Sequence, residues 1–260
     1  MPTPARTTKS AASAKPARTR EKMSPSTIIG LLLLACGLVW LAINGGALIE
    51  RYRMTWYLEE KYGEEFVVTN IKKEGSGLGV RGEINAKASP KNNRSLTFKI
   101  ANMSNGYHDR YPEALWSSQA HGEVKRYIQA NLGEHVDFTA RVATRIMPGK
   151  TVPESLPNGK IPSLEQALDK YRGIVTYSLS VRDKSSIVTS CDSPTHGQLD
   201  RAYKIIQFLK SKGVYSTMNY LYSSDDGSSA PSCIIMLQGE QLETISNSRD
   251  LIKYYKATIS

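Results

Sequence analysis

Residues 28–49 read IIGLLLLACGLVWLAINGGALI, 22 residues without a charge. Lys22 precedes them, and Glu50, Arg51 and Arg53 follow. A bilayer core about 30 Å thick takes roughly 20 apolar residues as a helix. The stretch therefore predicts a transmembrane helix over 27–49. That helix divides the chain into a short tail, residues 1–26, and a long folded part. The lipid bilayer becomes the first expected partner.

The tail carries Arg6, Lys9, Lys15, Arg18, Arg20 and Lys22 against Glu21 alone. It is built of Ala, Thr, Ser, Pro, Lys and Arg with no apolar period, so it cannot bury enough surface to offset its ordering entropy. A disordered tail is expected. Its cations lie close to the apolar stretch, and positive-inside bias then places the N-terminus in the cytoplasm and the C-terminus outside the membrane. This is a single-pass signal anchor at the cell membrane. The tail holds half of the formal charge of +10. The remaining charge is spread thinly over the rest of the chain, which is no nucleic-acid footprint.

Two processed forms compete with the anchor. A signal peptide has a shorter apolar region before a small-residue cleavage site. Leu33-Leu34-Ala35-Cys36-Gly37 approximates a lipobox, in which Cys36 would be lipidated. Apolar sequence continues for 13 residues after Cys36, which favours the uncleaved helix.

Beyond the apolar stretch the patterns alternate between helix and strand. ERYRMTWYLEEKY (50–62) has no helix breaker and ends at Gly63. Glu65–Ile71, Val80–Ala88 and Leu96–Ile100 read as strands, and Pro112 opens a helix over Ala114–Leu132. Val136–Val142 and Val175–Val181 alternate as strands. Ser163-Leu164-Glu165-Gln166 fits a capping box. Leu199, Ala202, Tyr203, Ile206 and Leu209 fall at helical spacing. Val214–Tyr222 and Cys233–Leu237 read as a hairpin, and a last helix fits Ser248–Tyr255. The fold class is α+β: one N-terminal transmembrane helix, then an extracytoplasmic region of helices and antiparallel sheet. Two small modules are expected in that region, 50–133 and 134–260.

YLEEKYGEEFVV (Tyr57–Val68) and YHDRYPEALW (Tyr107–Trp116) resemble a large group of uncharacterised membrane- or lipid-anchored surface proteins of Gram-positive bacteria. The resemblance covers residues 50–130. It implies an envelope location and an α+β outer domain, and brings no activity with it.

No stretch names a catalytic or cofactor-binding residue. Gly77, Gly79 and Gly82 form a GxGxxG, but a β-patterned segment follows where a dinucleotide site needs a helix N-terminus. A hairpin turn accounts for these glycines. His108, His121, His135 and His196 show no metal-ligand spacing, and no metal site is expected. His108-Asp109 reads as polar turn residues. Asp225-Asp226-Gly227 lacks the rest of a calcium loop and reads as a turn. Cys191 and Cys233 both lie in the outer region, where oxidation persists. They are expected to pair. The resulting expectation is a non-enzymatic, membrane-tethered binding protein of the cell envelope without cofactor. The alternatives are a structural subunit of a secretion- or conjugation-type complex and an envelope enzyme without a readable motif.

Overall fold

The computed structural model describes residues 25–74, 82–144, 159–184, 191, 194–223 and 232–257. The chain forms two compact units, Met1–Ile49 and Glu50–Ser260.

The first unit contains the start of helix α1 (Pro25–Tyr62). Ile29, Leu32, Leu33, Leu34, Leu48 and Ile49 are exposed there, as is the free thiol of Cys36. Among the described residues no helix is long and apolar enough to cross a membrane. This overturns the transmembrane helix expected over 27–49. A bilayer core takes roughly 20 continuous apolar residues, and among the described residues no helix supplies such a run. The basic tail expected over 1–26 lies almost entirely outside the described residues.

The second unit is α+β, with two sheets. Strands β1 (Phe66–Glu74), β2 (Glu83–Pro90), β3 (Phe98–Met103) and β4 (Gly106–Asp109) form an antiparallel meander in sequence order. Met54 and Leu58, on the last turns of α1, pack against Phe66, Val68, Ala86, Ala88, Phe98 and Ile100 on one face of this sheet. The GxGxxG loop joins β1 to β2, and its residues 75–81 lie outside the described residues. β4 escapes the period-2 reading because its four residues follow β3 through a two-residue turn at Ser104-Asn105. Helix α2 (Tyr111–Asn131) starts at Tyr111-Pro112, where the missing proline N–H costs nothing.

The second sheet has the order β5 (Val136–Thr144), β6 (Val175–Asp183), β7 (Ser216–Tyr222), β8 (Cys233–Gln238) and β9 (Tyr255–Ala257). The expectation of purely antiparallel pairing is corrected here, because β6 and β7 run parallel. Helix α4 (His196–Lys210) lies between them in the chain and supplies the crossover that parallel neighbours require. Trp116, Ala120, Val124 and Ile128 of α2 cover the sheet together with Leu199, Ala202, Ile205, Ile206 and Leu209 of α4.

The capping signals are realised locally. The Ser163 hydroxyl accepts from the Gln166 N–H at 3.3 Å and opens the short helix α3 (Leu164–Lys170). Thr195 does the same for α4, accepting from the Gln198 N–H at 3.2 Å. A short helix α5 (Glu240–Thr244) and a 3-10 helix (Ser248–Tyr254) lead into β9. α2 also shields the outer edge of β5. The Ser117 hydroxyl accepts from the Val142 N–H at 2.9 Å, and Glu113 accepts from the Thr144 N–H at 2.9 Å. An exposed edge would otherwise invite another strand.

Candidate ligand-binding face

Residues alternate between the two faces of a strand, so the first sheet presents two unlike surfaces. The inner one meets α1. Its polar centre is Asp109, whose side chain is fully buried. Asp109 accepts from Lys61 Nζ at 2.8 Å, Tyr62 Oη at 2.7 Å, Tyr57 Oη at 3.3 Å and the Tyr111 N–H at 3.1 Å. Tyr111 in turn donates to Glu64. The stretches Tyr57–Val68 and Tyr107–Trp116 thus meet in a single network, Tyr57, Lys61, Tyr62 and Glu64 from one and Asp109 and Tyr111 from the other. Burial raises the Tyr57 and Tyr62 phenols above their ordinary values, and for Tyr62 the Asp109 charge adds to it. Burial alone would lower the Lys61 ammonium, but the Asp109 charge and hydrogen bond outweigh it and leave the ammonium raised. Glu50 is also buried here and accepts from Asn102 Nδ2 at 2.8 Å and Tyr107 Oη at 3.0 Å.

His108 faces the other way. It stands opposite Ala101 on the outer surface, hydrogen-bonded to Asn105 at 2.8 Å. Neighbouring strand residues cannot converge on one ligand, so His108 and Asp109 serve different faces. His121 stacks on Phe138, and His196 pairs with Asp200 at 3.2 Å. Among the described residues no three His, Cys, Asp or Glu side chains group to hold a metal ion.

The outer surface is shaped by one irregularity. The β1–β2 register runs from Phe66 opposite Pro90 to Thr69 opposite Lys87, and resumes with Lys72 opposite Asn85. One extra residue has entered β1. Asn70 sits in this bulge with φ +52°, left-handed backbone that a non-glycine residue seldom adopts. In an unbroken ladder Lys72 would oppose Ile84 and point at the core. The bulge places it opposite Asn85, outward.

Four outward positions follow from that register. Lys87 stands directly opposite Lys99, and Glu74 directly opposite Glu83. Like charges facing each other across a ladder are destabilising. Among the described residues Lys72, Lys87 and Lys99 form no ion pair. Asn85 lies between them at 6% exposure. Its Nδ2 donates to Glu74 Oε2 at 2.9 Å, and its Oδ1 has no partner. A buried acceptor left unmet costs about 1–3 kcal/mol. A cavity of about 420 Å³ lies here, lined by Asn70, Lys72, Glu74, Asn85, Lys87 and Lys99 among others.

Two other charged clusters lack this surplus. Asp183, fully buried in β6, accepts from Arg201 Nε at 2.6 Å and Nη2 at 3.2 Å and from Tyr220 Oη at 2.7 Å. Burial, with the Asp183 charge, holds the Tyr220 phenol high. A polar cleft of about 640 Å³ lies between α2, α3 and the end of α4. Its cations are largely spent, Lys212 on Glu123 and Arg172 on Asp169.

Cys191 and Cys233 form a disulfide, with Cα atoms 5.6 Å apart and 42 residues of separation. It ties the segment after β6 to the start of β8. The turn residues Asp225-Asp226-Gly227 lie outside the described residues.

No family model matches the chain, and no curated protein is similar to it. Among solved structures, a DUF5037 family protein from Ruminococcus gnavus ATCC 29149 is similar at a TM-score of 0.48 and 15% identity. That match covers 78% of this chain and 97% of the other. Likeness this distant brings no role to this chain.

Proposed function

We propose that the chain is a non-enzymatic binding module of the cell envelope, with its folded part on the extracytoplasmic side. The observation that carries the location is the disulfide between Cys191 and Cys233. Such bonds persist in oxidising compartments and are rare where thiols are kept reduced. The envelope location implied by the resemblance of Tyr57–Val68 and Tyr107–Trp116 belongs to the same proposal. So does contact of residues 27–49 with a lipid bilayer, which the exposed Leu32, Leu33 and Leu34 support.

A binding role is favoured over catalysis by the state of the buried acids. Among the described residues Asp109 takes four donors and Asp183 at least three, so each is held by structure. A general acid or base needs a proton path to a bound reactant.

The test is thiol labelling and proteolysis in intact cells. Cys191 and Cys233 are expected to resist alkylation until a reductant is added, and externally added protease is expected to cut the folded part. If both thiols label without reduction, and only with a membrane-permeant reagent, the extracytoplasmic reading falls.

A further inference from the structure

We propose that the outer face of the first sheet binds an anionic carbohydrate, with Lys72, Lys87 and Lys99 holding its acidic group and Asn85 Oδ1 accepting from a hydroxyl. This deepens the binding-module reading and rests on it.

Three independent features of the face converge. The first is charge without a counter-charge. Lys87 and Lys99 are exposed, directly opposed and unpaired among the described residues, and Lys72 joins them from β1. An anion placed between them removes the repulsion. The second is the unmet acceptor. Asn85 is oriented by its bond to Glu74, which leaves Oδ1 in need of a donor. A carboxylate offers no donor at neutral pH, whereas a sugar hydroxyl does. The third is the bulge at Asn70, which turns Lys72 outward at the cost of left-handed backbone.

The acidic end of the face limits the ligand. Glu74 and Glu83 oppose each other beside Asn85 and would repel a uniformly charged polyanion. They accept hydrogen bonds from neutral hydroxyls instead. The face therefore suits a chain in which acidic groups alternate with hydroxyl-rich stretches. Nucleic acid is a poorer fit, because base recognition uses exposed aromatic stacking platforms. Phe98, the aromatic residue at the cavity, is 5% exposed.

Calorimetric titration of the full chain tests this with three probes: a hyaluronan tetrasaccharide, whose carboxylates alternate with neutral amino-sugar units, neutral chitotetraose, and an eight-nucleotide single-stranded DNA. The hyaluronan tetrasaccharide is expected to bind saturably and to weaken as salt is raised. Combined Lys87→Gln and Lys99→Gln should weaken it at least tenfold, and Asn85→Leu should weaken it without changing the salt dependence. The lysine variant should melt no lower than the native chain, since it removes a repulsion; this separates lost binding from lost fold. Equal binding of the neutral sugar or of the DNA would overturn the proposal, as would variants that bind like the native chain. Absence of binding by the native chain, with both cysteines still bonded and outside the membrane, would sink this ligand and leave the envelope reading standing. Free thiols inside the cell would sink the envelope reading instead.

Discussion

Asp109→Asn tests whether the link between α1 and the first sheet depends on charge. The substitution keeps the size and shape of the side chain and leaves Lys61 without its counter-ion. Lys61 is 22% exposed and Asp109 fully buried. Breaking a buried pair by removing one partner costs about 3–5 kcal/mol. The partial exposure of Lys61 places this case near 3 kcal/mol, because water can solvate part of the stranded ammonium. Tyr62 and Tyr57 also lose a charged acceptor, but an amide oxygen still serves them. A unit of this size loses about 2–4 °C of melting temperature per kcal/mol, so the expected drop is roughly 6–12 °C. Lys61→Met added to Asp109→Asn should recover at least half of it, since the unpaired charge is then gone. Far-UV circular dichroism with temperature reads all three variants. If Asp109→Asn melts within about 2 °C of the native chain, the pair is not what holds α1 to the sheet. If Lys61→Met deepens the loss, the ammonium is serving another partner.

Two further outcomes follow from the second sheet and from the buried phenols. Replacing both Cys191 and Cys233 by Ser should cost roughly 4 kcal/mol in urea unfolding, from the chain entropy of a loop with 42 residues of separation; reductant should bring the native chain to the same value, and no difference between oxidised and reduced protein would refute the link. Burial raises Tyr62, Tyr220 and Tyr222 in the folded chain, with Asp109 adding to it at Tyr62, Asp183 at Tyr220, and the neighbouring Tyr220 phenol and Asp183 at Tyr222. Their contribution is complete below the ordinary tyrosine value near 10 and is lost as pH rises beyond it, at about 1.4 kcal/mol per pH unit for each. Absorbance at 295 nm should therefore show these phenols ionising only as circular dichroism reports unfolding, and ionisation of all 14 tyrosines near pH 10 in an intact fold would refute it.

What the sequence disclosed depended on how local each signal was. The capping box at Ser163 lies within four residues, and it forms as read. The alternation of Val175, Tyr177, Leu179 and Val181 marks β6 because one face of that strand is buried throughout. β4 was invisible for the opposite reason: Tyr107 and His108 are half-exposed, the buried Asp109 is charged, and the strand carries no apolar period. The parallel pairing of β6 and β7 depends on the path of α4, which no strand pattern contains. The ligand-binding face was harder still. Lys72, Lys87 and Lys99 come from three strands, and only the register brings them together. The bulge at Asn70 decides which way Lys72 points, and a lone Asn between Thr69 and Ile71, though tolerant of left-handed backbone, does not by itself mark a bulge.

The charged residues of this fold divide by whether their charge is answered. Asp109 and Asp183 sit where an unanswered charge would be most costly; Asp109 takes donors from the helices α1 and α2, and Asp183 from helix α4 and strand β7. Such sites explain why YLEEKY and YHDRY keep company: removing either stretch leaves the other's charges buried and unmet. On the outer face of the first sheet the logic is reversed. Lys87 opposite Lys99 and Glu74 opposite Glu83 are arrangements that folding alone would not favour, and the Asn85 acceptor beside them is unmet. Exchanging Lys99 for an acidic residue would answer Lys87 within the chain at little cost to packing, since both side chains are exposed. A fold that forgoes so cheap a pairing, while spending left-handed backbone at Asn70 to add a third lysine, has its charge answered from outside.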